Sequence, residues 1–123
     1  MTAGKLKKQI AYAKGCEGEA RAAEMLERQG YRILNRRFRS PAGEIDLVAL
    51  NGRHLAFVEV KSRRRLSDAA WSVTARQQQR IADAAGYWLQ SFPDHLDKDM
   101  TFDAVLIGSH GQSEHIQDAF RPY

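Results

Sequence analysis

Three side chains in the middle of the chain have the types and spacing for phosphodiester chemistry. They are Asp46, Glu59 and Lys61, in the segments GEIDLVA (43–49) and FVEVKSR (57–63). Between them stands Asn51-Gly52, flanked by apolar-rich runs, the strongest short-range signal for a β-hairpin. A type I′ turn at Asn51-Gly52 sets Leu50 against Arg53, so that Asp46 faces Phe57 and Glu44 faces Glu59. Directly paired residues share a face of the sheet, and so do residues two apart. Asp46, Glu59 and Lys61 therefore point to one side. Glu59 is then the diagonal neighbour of Asp46, with Cβ atoms roughly 5–8 Å apart. Two carboxylates at that range can grip one divalent cation between them.

The setting of these residues is apolar. Ile45, Leu47, Ala49, Ala56, Val58 and Val60 fall on the opposite face, while Val48, Leu50, Leu55 and Phe57 interrupt the charged one. Both faces read as covered, as in central strands with helices on each side. Carboxylates there are desolvated and repel one another unless a cation compensates. The competing interpretation is a Glu59–Lys61 salt bridge on an exposed edge strand. Glu19 falls on the apolar stripe of a helix. It is either a residue favoured by the dipole at a helix N-terminus or a third carboxylate of the site.

Three carboxylates and a lysine suit phosphodiester hydrolysis. Mg²⁺ (or Mn²⁺) prefers oxygen ligands. Asp46 and Glu59 would hold it, with the strand carbonyl near Val60 as an extra ligand. A bound ion polarises the phosphate and lowers the pKa of its water. Lys61 would orient that water or neutralise charge developing on the phosphorane, and Glu19 could hold a second ion or a water. Arg63, Arg64 and Arg65 could grip flanking phosphates.

Among the elements that must hold these residues, a helix is predicted over 15–29, ended near Gly30, with Glu19, Ala22, Ala23 and Leu26 on one stripe. Strands are predicted over 31–39, 44–50 and 53–63, with a turn at 40–43. After a loop at 64–70 a long helix runs over 73–91, stopped by Pro93 and an acidic loop. A strand over 102–108 and a short edge strand over 114–118 complete the chain. The order αβββαβ(β) is a mixed α/β domain. Residues 1–14 lack periodicity and read as a basic, mobile arm; 15–123 read as one domain.

Charge is unevenly spread. Residues 1–81 hold 17 Lys/Arg against 8 Asp/Glu, and residues 82–123 hold 2 against 7. The basic side chains cluster at Lys5/Lys7/Lys8, Arg36/Arg37/Arg39, Arg63/Arg64/Arg65 and Arg76/Arg80. This is either a polyanion-binding side or a solvated surface. No apolar run approaches the ~18 residues of a membrane helix, the N-terminus lacks an apolar signal region, and one cysteine, Cys16, forms no internal disulfide. The cytoplasm is the expected compartment. The four histidines show no zinc-ligand spacing, and GSHG (108–111) reads as a turn. Tyr87, Trp88 and Phe92, at helical spacing, read as core or partner contacts rather than base-stacking groups.

GEIDLVA followed by FVEVKSR resembles the YraN-like family of small bacterial proteins, which is related to Holliday-junction resolvases and RecB-type nucleases in the PD-(D/E)xK superfamily. The resemblance extends to Gly15, Glu19, GYRIL (30–34), SVT (72–74), YWL (87–89), FD (102–103) and DAF (118–120). It implies a restriction-endonuclease-like core, a mixed sheet flanked by helices. It carries Asp46, Glu59 and Lys61 over as the D…ExK motif and Glu19 as the helix-borne acid of resolvase-like members. It also makes Gln78, on the following helix, a candidate site residue. The expected activity is a metal-dependent endonuclease acting on DNA, favoured ahead of RNA, with branched or structured DNA included. A junction cutter needs two sites, which a homodimer would supply. A nucleic-acid-binding module with an idle site, or a protein-interaction domain, are the alternatives.

Overall fold

Apolar residues recur at helical spacing in two stretches, and each forms a helix that buries its stripe. The computed structural model describes residues 17–63 and 73–122, the side chain of Arg63 excepted. Helix α1 (17–28) buries Ala22, Ala23 and Leu26 completely. The chain leaves it through Gly30, where Tyr31 N–H bonds the Leu26 carbonyl at 3.0 Å and Gly30 N–H the Glu27 carbonyl at 3.0 Å. That pair of hydrogen bonds is the Schellman closure of a helix end. Helix α2 (Ala75–Ser91) starts from a capping box. Thr74 Oγ1 accepts from Gln77 N–H, and Gln77 Oε1 accepts from Thr74 N–H, both at 3.1 Å, so two otherwise orphaned donors are satisfied. Its buried residues, Ile81, Ala84, Ala85 and Trp88, form one stripe. Pro93 follows its end and opens a 3₁₀ turn, Pro93–His95.

The strands are β1 (Arg32–Arg39), β2 (Glu44–Asn51), β3 (His54–Arg63), β4 (Asp99–Gly108) and β5 (Ser113–Phe120), hydrogen-bonded in that order in one sheet. Only β3 and β4 run parallel; the connection between them carries α2, as parallel neighbours require. The architecture is the expected mixed α/β one, a five-stranded sheet flanked by two helices. Strands β4 and β5 are longer than the sequence predicts, and β5 is a full strand.

The two helices cover opposite faces. Alternate residues of the strands, Leu47, Ala49, Ala56, Val58, Val105 and Ile107, pack with α1. Their neighbours Val48, Leu55, Phe57, Phe102 and Phe120 pack with α2. On that side Phe57, Phe102 and Phe120 stack in a row, with centroids 5.6 and 5.4 Å apart, and Trp88 meets Phe57 edge-on at 5.8 Å. Trp88 is 1% exposed and its indole N–H donates to Asn35 Oδ1 at 3.0 Å. It is therefore a core residue, while Tyr87 and Phe92 are exposed.

The hairpin differs from the sequence reading in register. Its two turn residues are Gly52-Arg53, closed by the pair Asn51↔His54, and Val48 rather than Asp46 faces Phe57. Gly52 has φ +60 and Arg53 is not among the positive-φ residues, the pattern of a II′ turn with glycine first rather than I′. Asn51 stays in the ladder, where its side-chain Nδ2 donates to the Gln29 carbonyl at the end of α1. The slip moves each strand by one residue. Within the paired stretch the two shifts preserve parity, so the same residues face each side there. Carried one step past its last pair, Leu47↔Val58, this register points Glu59 toward Asp46 and no longer toward Glu44.

Candidate active site

The site lies where the sheet splits. The pairing of β2 with β3 ends at Leu47↔Val58. At the next step the Asp46 carboxylate takes the place of a backbone carbonyl, and its Oδ2 accepts from Val60 N–H at 2.8 Å. Beyond that point alternation breaks. Ile45, expected beside Leu47 and Ala49, packs in the α2 cluster with Val48 and Phe57. A strand that leaves its partner is free to rotate its side chains, and here the rotation opens a polar notch in the middle of the domain.

Asp46 and Glu59 are close enough in this notch for each to affect the ionisation of the other. Burial, then the neighbouring Glu59, with smaller contributions from Glu19 and Glu44, pushes Asp46 up to about 7, against the opposing Val60 N–H bond. Burial raises Glu59 as well, and Lys61, whose Nζ lies 3.3 Å from Glu59 Oε1, offsets only part of it. The Glu59 and Lys61 side chains are only 19% and 22% exposed, and β3 is the central strand. The salt bridge weighed in the sequence is thus present, but inside the domain and beside a second carboxyl. Two acids that stay close in a low-dielectric setting hold a proton to higher pH than free carboxyls do.

Glu19 arrives from α1. Gly18, one residue before it, is packed against β3: a β-carbon there would run into Ser62 Oγ. The helix therefore docks closely next to Lys61, and Glu19 is near enough to raise both carboxyls. Its Oε2 is held at 2.6 Å by Arg37 Nε, with both side chains largely buried. Arg37 sits on β1 with φ +49, a left-handed conformation that costs a non-glycine residue roughly 1 kcal/mol or more. The register of β1 with β2 sets Arg37 across from Asp46, between the pairs Arg36↔Leu47 and Phe38↔Ile45.

The other residues singled out in the sequence are placed as follows. Val60 brings its N–H to Asp46. Gln78 turns its amide onto the Val73 carbonyl at 3.0 Å. The α2 residues beside Glu59 are instead Gln77, Arg80 and Ile81, which with Gly43, Glu44 and Val73 wall a cavity of about 170 Å³. The Thr74-x-x-Gln77 capping signature was available to place Gln77 on the first turn. Arg36 and Arg39 are exposed on β1 and pair loosely with Glu27 at 3.9 Å and Glu44 at 3.8 Å. Arg76 is exposed on α2. Arg64, Arg65, the Arg63 side chain, Cys16 and the N-terminal arm lie outside the described residues.

The donor chemistry suits a hard divalent ion. Asp46 and Glu59 offer oxygen ligands, and their raised pKa values express a demand for positive charge that Lys61 meets only in part. Glu19 is turned onto Arg37, and among the described residues no three acids, histidines or cysteines already converge on one point.

The profile of the uncharacterised protein family UPF0102 matches residues 18–107, a span that includes Glu19, Asp46, Glu59 and Lys61. A UPF0102 protein of Rhodopseudomonas palustris (strain BisB18) is 56% identical over 89% of this chain and 82% of its own length. The UPF0102 protein BRADO0179 of Bradyrhizobium sp. (strain ORS 278) is 52% identical over 89% of this chain and 78% of its own length. This chain belongs to UPF0102. The YraN-like resemblance read from GEIDLVA and FVEVKSR is thereby established. No helix among the described residues is long and apolar enough to cross a membrane.

Proposed function

We propose that this UPF0102 protein is a nuclease that hydrolyses phosphodiester bonds with the help of a divalent metal ion, on DNA ahead of RNA, branched or structured DNA included. The observation that carries the reading is the half-buried Asp46–Glu59 pair, with Asp46 Oδ2 held by Val60 N–H at 2.8 Å and the Lys61 ammonium 3.3 Å from Glu59. A purely structural role would place such acids against matching donors or in water.

Asp46 and Glu59 would hold Mg²⁺ or Mn²⁺. When bound, the ion supplies Lewis-acid polarisation of the phosphate and acidifies a water. Lys61, 3.3 Å from Glu59, is placed to orient the attacking water or to stabilise charge on the phosphorane. Val60 N–H bonds one oxygen of the Asp46 carboxylate at 2.8 Å and so helps to orient it. Arg36 and Arg39, exposed on the β1 edge, are positioned to grip the phosphate backbone. A homodimer would bring two such sites to a junction, and the cytoplasm is the proposed compartment.

The test uses purified protein with Mg²⁺ or Mn²⁺ on duplex, flap, junction and single-stranded DNA and on RNA. Nicking is expected, and Asp46→Ala and Lys61→Ala should each abolish it. Activity that survives in both variants refutes the assignment of the site. Salt-sensitive binding with no cleavage under either ion would instead identify a binding module with an idle site.

A further inference from the structure

Arg37 turns into the domain from β1, where Arg36 and Arg39 face outward, and its geometry has a use. We propose that Arg37 is a substrate-phosphate ligand held in reserve by Glu19. When a divalent ion occupies the Asp46–Glu59 notch, the Glu19 carboxylate shifts from the guanidinium to the ion or its water, and Arg37 turns to a non-bridging phosphate oxygen. This inference rests on the metal-dependent reading above and deepens it.

Four features on four elements carry the argument. The Arg37 Nε–Glu19 Oε2 contact, at 2.6 Å and largely buried, is a tight ion pair beside the site. Glu19 bears on both notch carboxyls, so a cation placed between those two acids also attracts Glu19. Arg37 stands across from Asp46 in the sheet register, so its guanidinium operates over the notch and not on the outer surface where Arg36 and Arg39 lie. Its backbone is held at φ +49, and such strain persists where the surrounding structure imposes a working geometry. A guanidinium has five N–H donors in a planar fork that suits a phosphate as well as a carboxylate. Exchange of one oxyanion for the other therefore needs no new chemistry.

The exchange predicts a sign that simple positioning does not. Arg37 competes with the metal for Glu19, so its removal tightens metal binding while weakening substrate binding. Mn²⁺ affinity is measured by calorimetric titration for the wild type, Arg37→Gln, Glu19→Gln and the double variant, with Asp46→Asn as the reference for a lost site. Glu19→Gln should weaken Mn²⁺ binding about tenfold or more and Arg37→Gln should strengthen it. In the Glu19→Gln background the Arg37 change should have little further effect, because its influence passes through Glu19. An equal gain in both backgrounds, the result of plain Coulomb repulsion, overturns the exchange, and so does a loss. Arg37→Gly, which adopts the positive φ without strain, repeats the measurement should Arg37→Gln fold poorly.

A second arm measures binding of a fluorescent DNA oligonucleotide by anisotropy, in Ca²⁺ and in EDTA. Arg37→Gln should weaken binding in Ca²⁺ and leave it nearly unchanged in EDTA; equal losses overturn the proposal. If Asp46→Asn binds Mn²⁺ as tightly as the wild type, the metal-dependent reading itself fails. If Asp46→Asn loses the ion but the Arg37 and Glu19 effects simply add, only the exchange fails.

Discussion

Replacing Asp46 with asparagine should make the metal-free protein more stable at neutral and alkaline pH. The asparagine side chain keeps an oxygen for Val60 N–H, which now bonds Asp46 Oδ2 at 2.8 Å, and it offers an amide to Glu59 in place of a second negative charge. The shift of Asp46 from 3.8 to about 7 corresponds to a ceiling of roughly 4 kcal/mol of destabilisation when the group is ionised. Partial exposure and the coupling to Glu59 reduce that, so about 1–3 kcal/mol is expected, or a rise in melting temperature of roughly 3–12 °C for a domain of this size. The pH dependence has a definite sign. The folded state holds this proton more tightly than the unfolded chain, so the wild type loses stability as pH climbs from about 4 to about 7 and the penalty is constant above. The variant lacks that slope, and the two proteins should converge near pH 4, roughly the unfolded-state value of the group. Urea unfolding in EDTA at several pH values reads the difference directly. Saturating Mg²⁺ should then stabilise the wild type through linked binding and leave the variant unmoved. Asp46→Asn melting at or below the wild type at pH 8 in EDTA would refute the claim that this half-buried carboxylate is an incompletely compensated charge.

Three other outcomes are open to measurement. Asp103→Asn should cost about 3 kcal/mol at pH 7 by urea unfolding, because it strips a fully buried carboxylate from His115, Thr101 and the Asp118 N–H. Asp103 is held below its ordinary range, so its contribution is present near neutrality and is lost as pH falls through that depressed value. Trp88→Ala should cost about 3–5 kcal/mol, since it empties the centre of the α2 cluster and orphans Asn35. Arg36→Ala and Arg39→Ala should each weaken nucleic-acid binding uniformly across sequences and lower the salt-dependence slope by about one, seen by anisotropy over a salt series.

The fold and the site were legible to different depths for physical reasons. Helix stripes such as Ile81, Ala84, Ala85 and Trp88 are set by local periodicity, which a sequence displays. That Asp46, Glu59 and Lys61 lie near one another was also legible, although Asn51-Gly52 marks the turn one residue early, because a slip of one residue on each strand leaves the parity of the paired stretch intact. What the residues did not display was the split between β2 and β3. It depends on the Asp46 side chain replacing a backbone acceptor, and it moves Ile45 to the other cluster against the alternating pattern. Arg37 reads in the sequence as one of three surface arginines, since nothing in RILNRRFR marks which one takes a positive φ. The role of Gln78 rests on resemblance; the capping box instead places Gln77 beside the cavity and sends the Gln78 amide to Val73.

Asp46 and Asp103 show why burial by itself does not mark a functional acid. Both are strand aspartates in the same sheet, and Asp103 is the more buried, at 0% exposure. Yet Asp103 lies below the usual carboxylate range and Asp46 well above it. The difference lies in the donors. Asp103 receives three hydrogen bonds and faces an imidazole that is tied in turn to Gln29 Oε1. The protein has already supplied what that charge needs, so the carboxylate fastens β4 to β5 and to the end of α1. Asp46 receives one backbone N–H and faces other acids. Its residual demand is for positive charge beyond what the surrounding described residues supply, and a group left in that condition at a split in the sheet is suited to take up a cation. The same comparison predicts opposite outcomes for one chemical change, Asp to Asn: a loss of stability at position 103 and a gain at position 46. Two variants of the same sign would overturn the distinction, whatever the enzyme assays show.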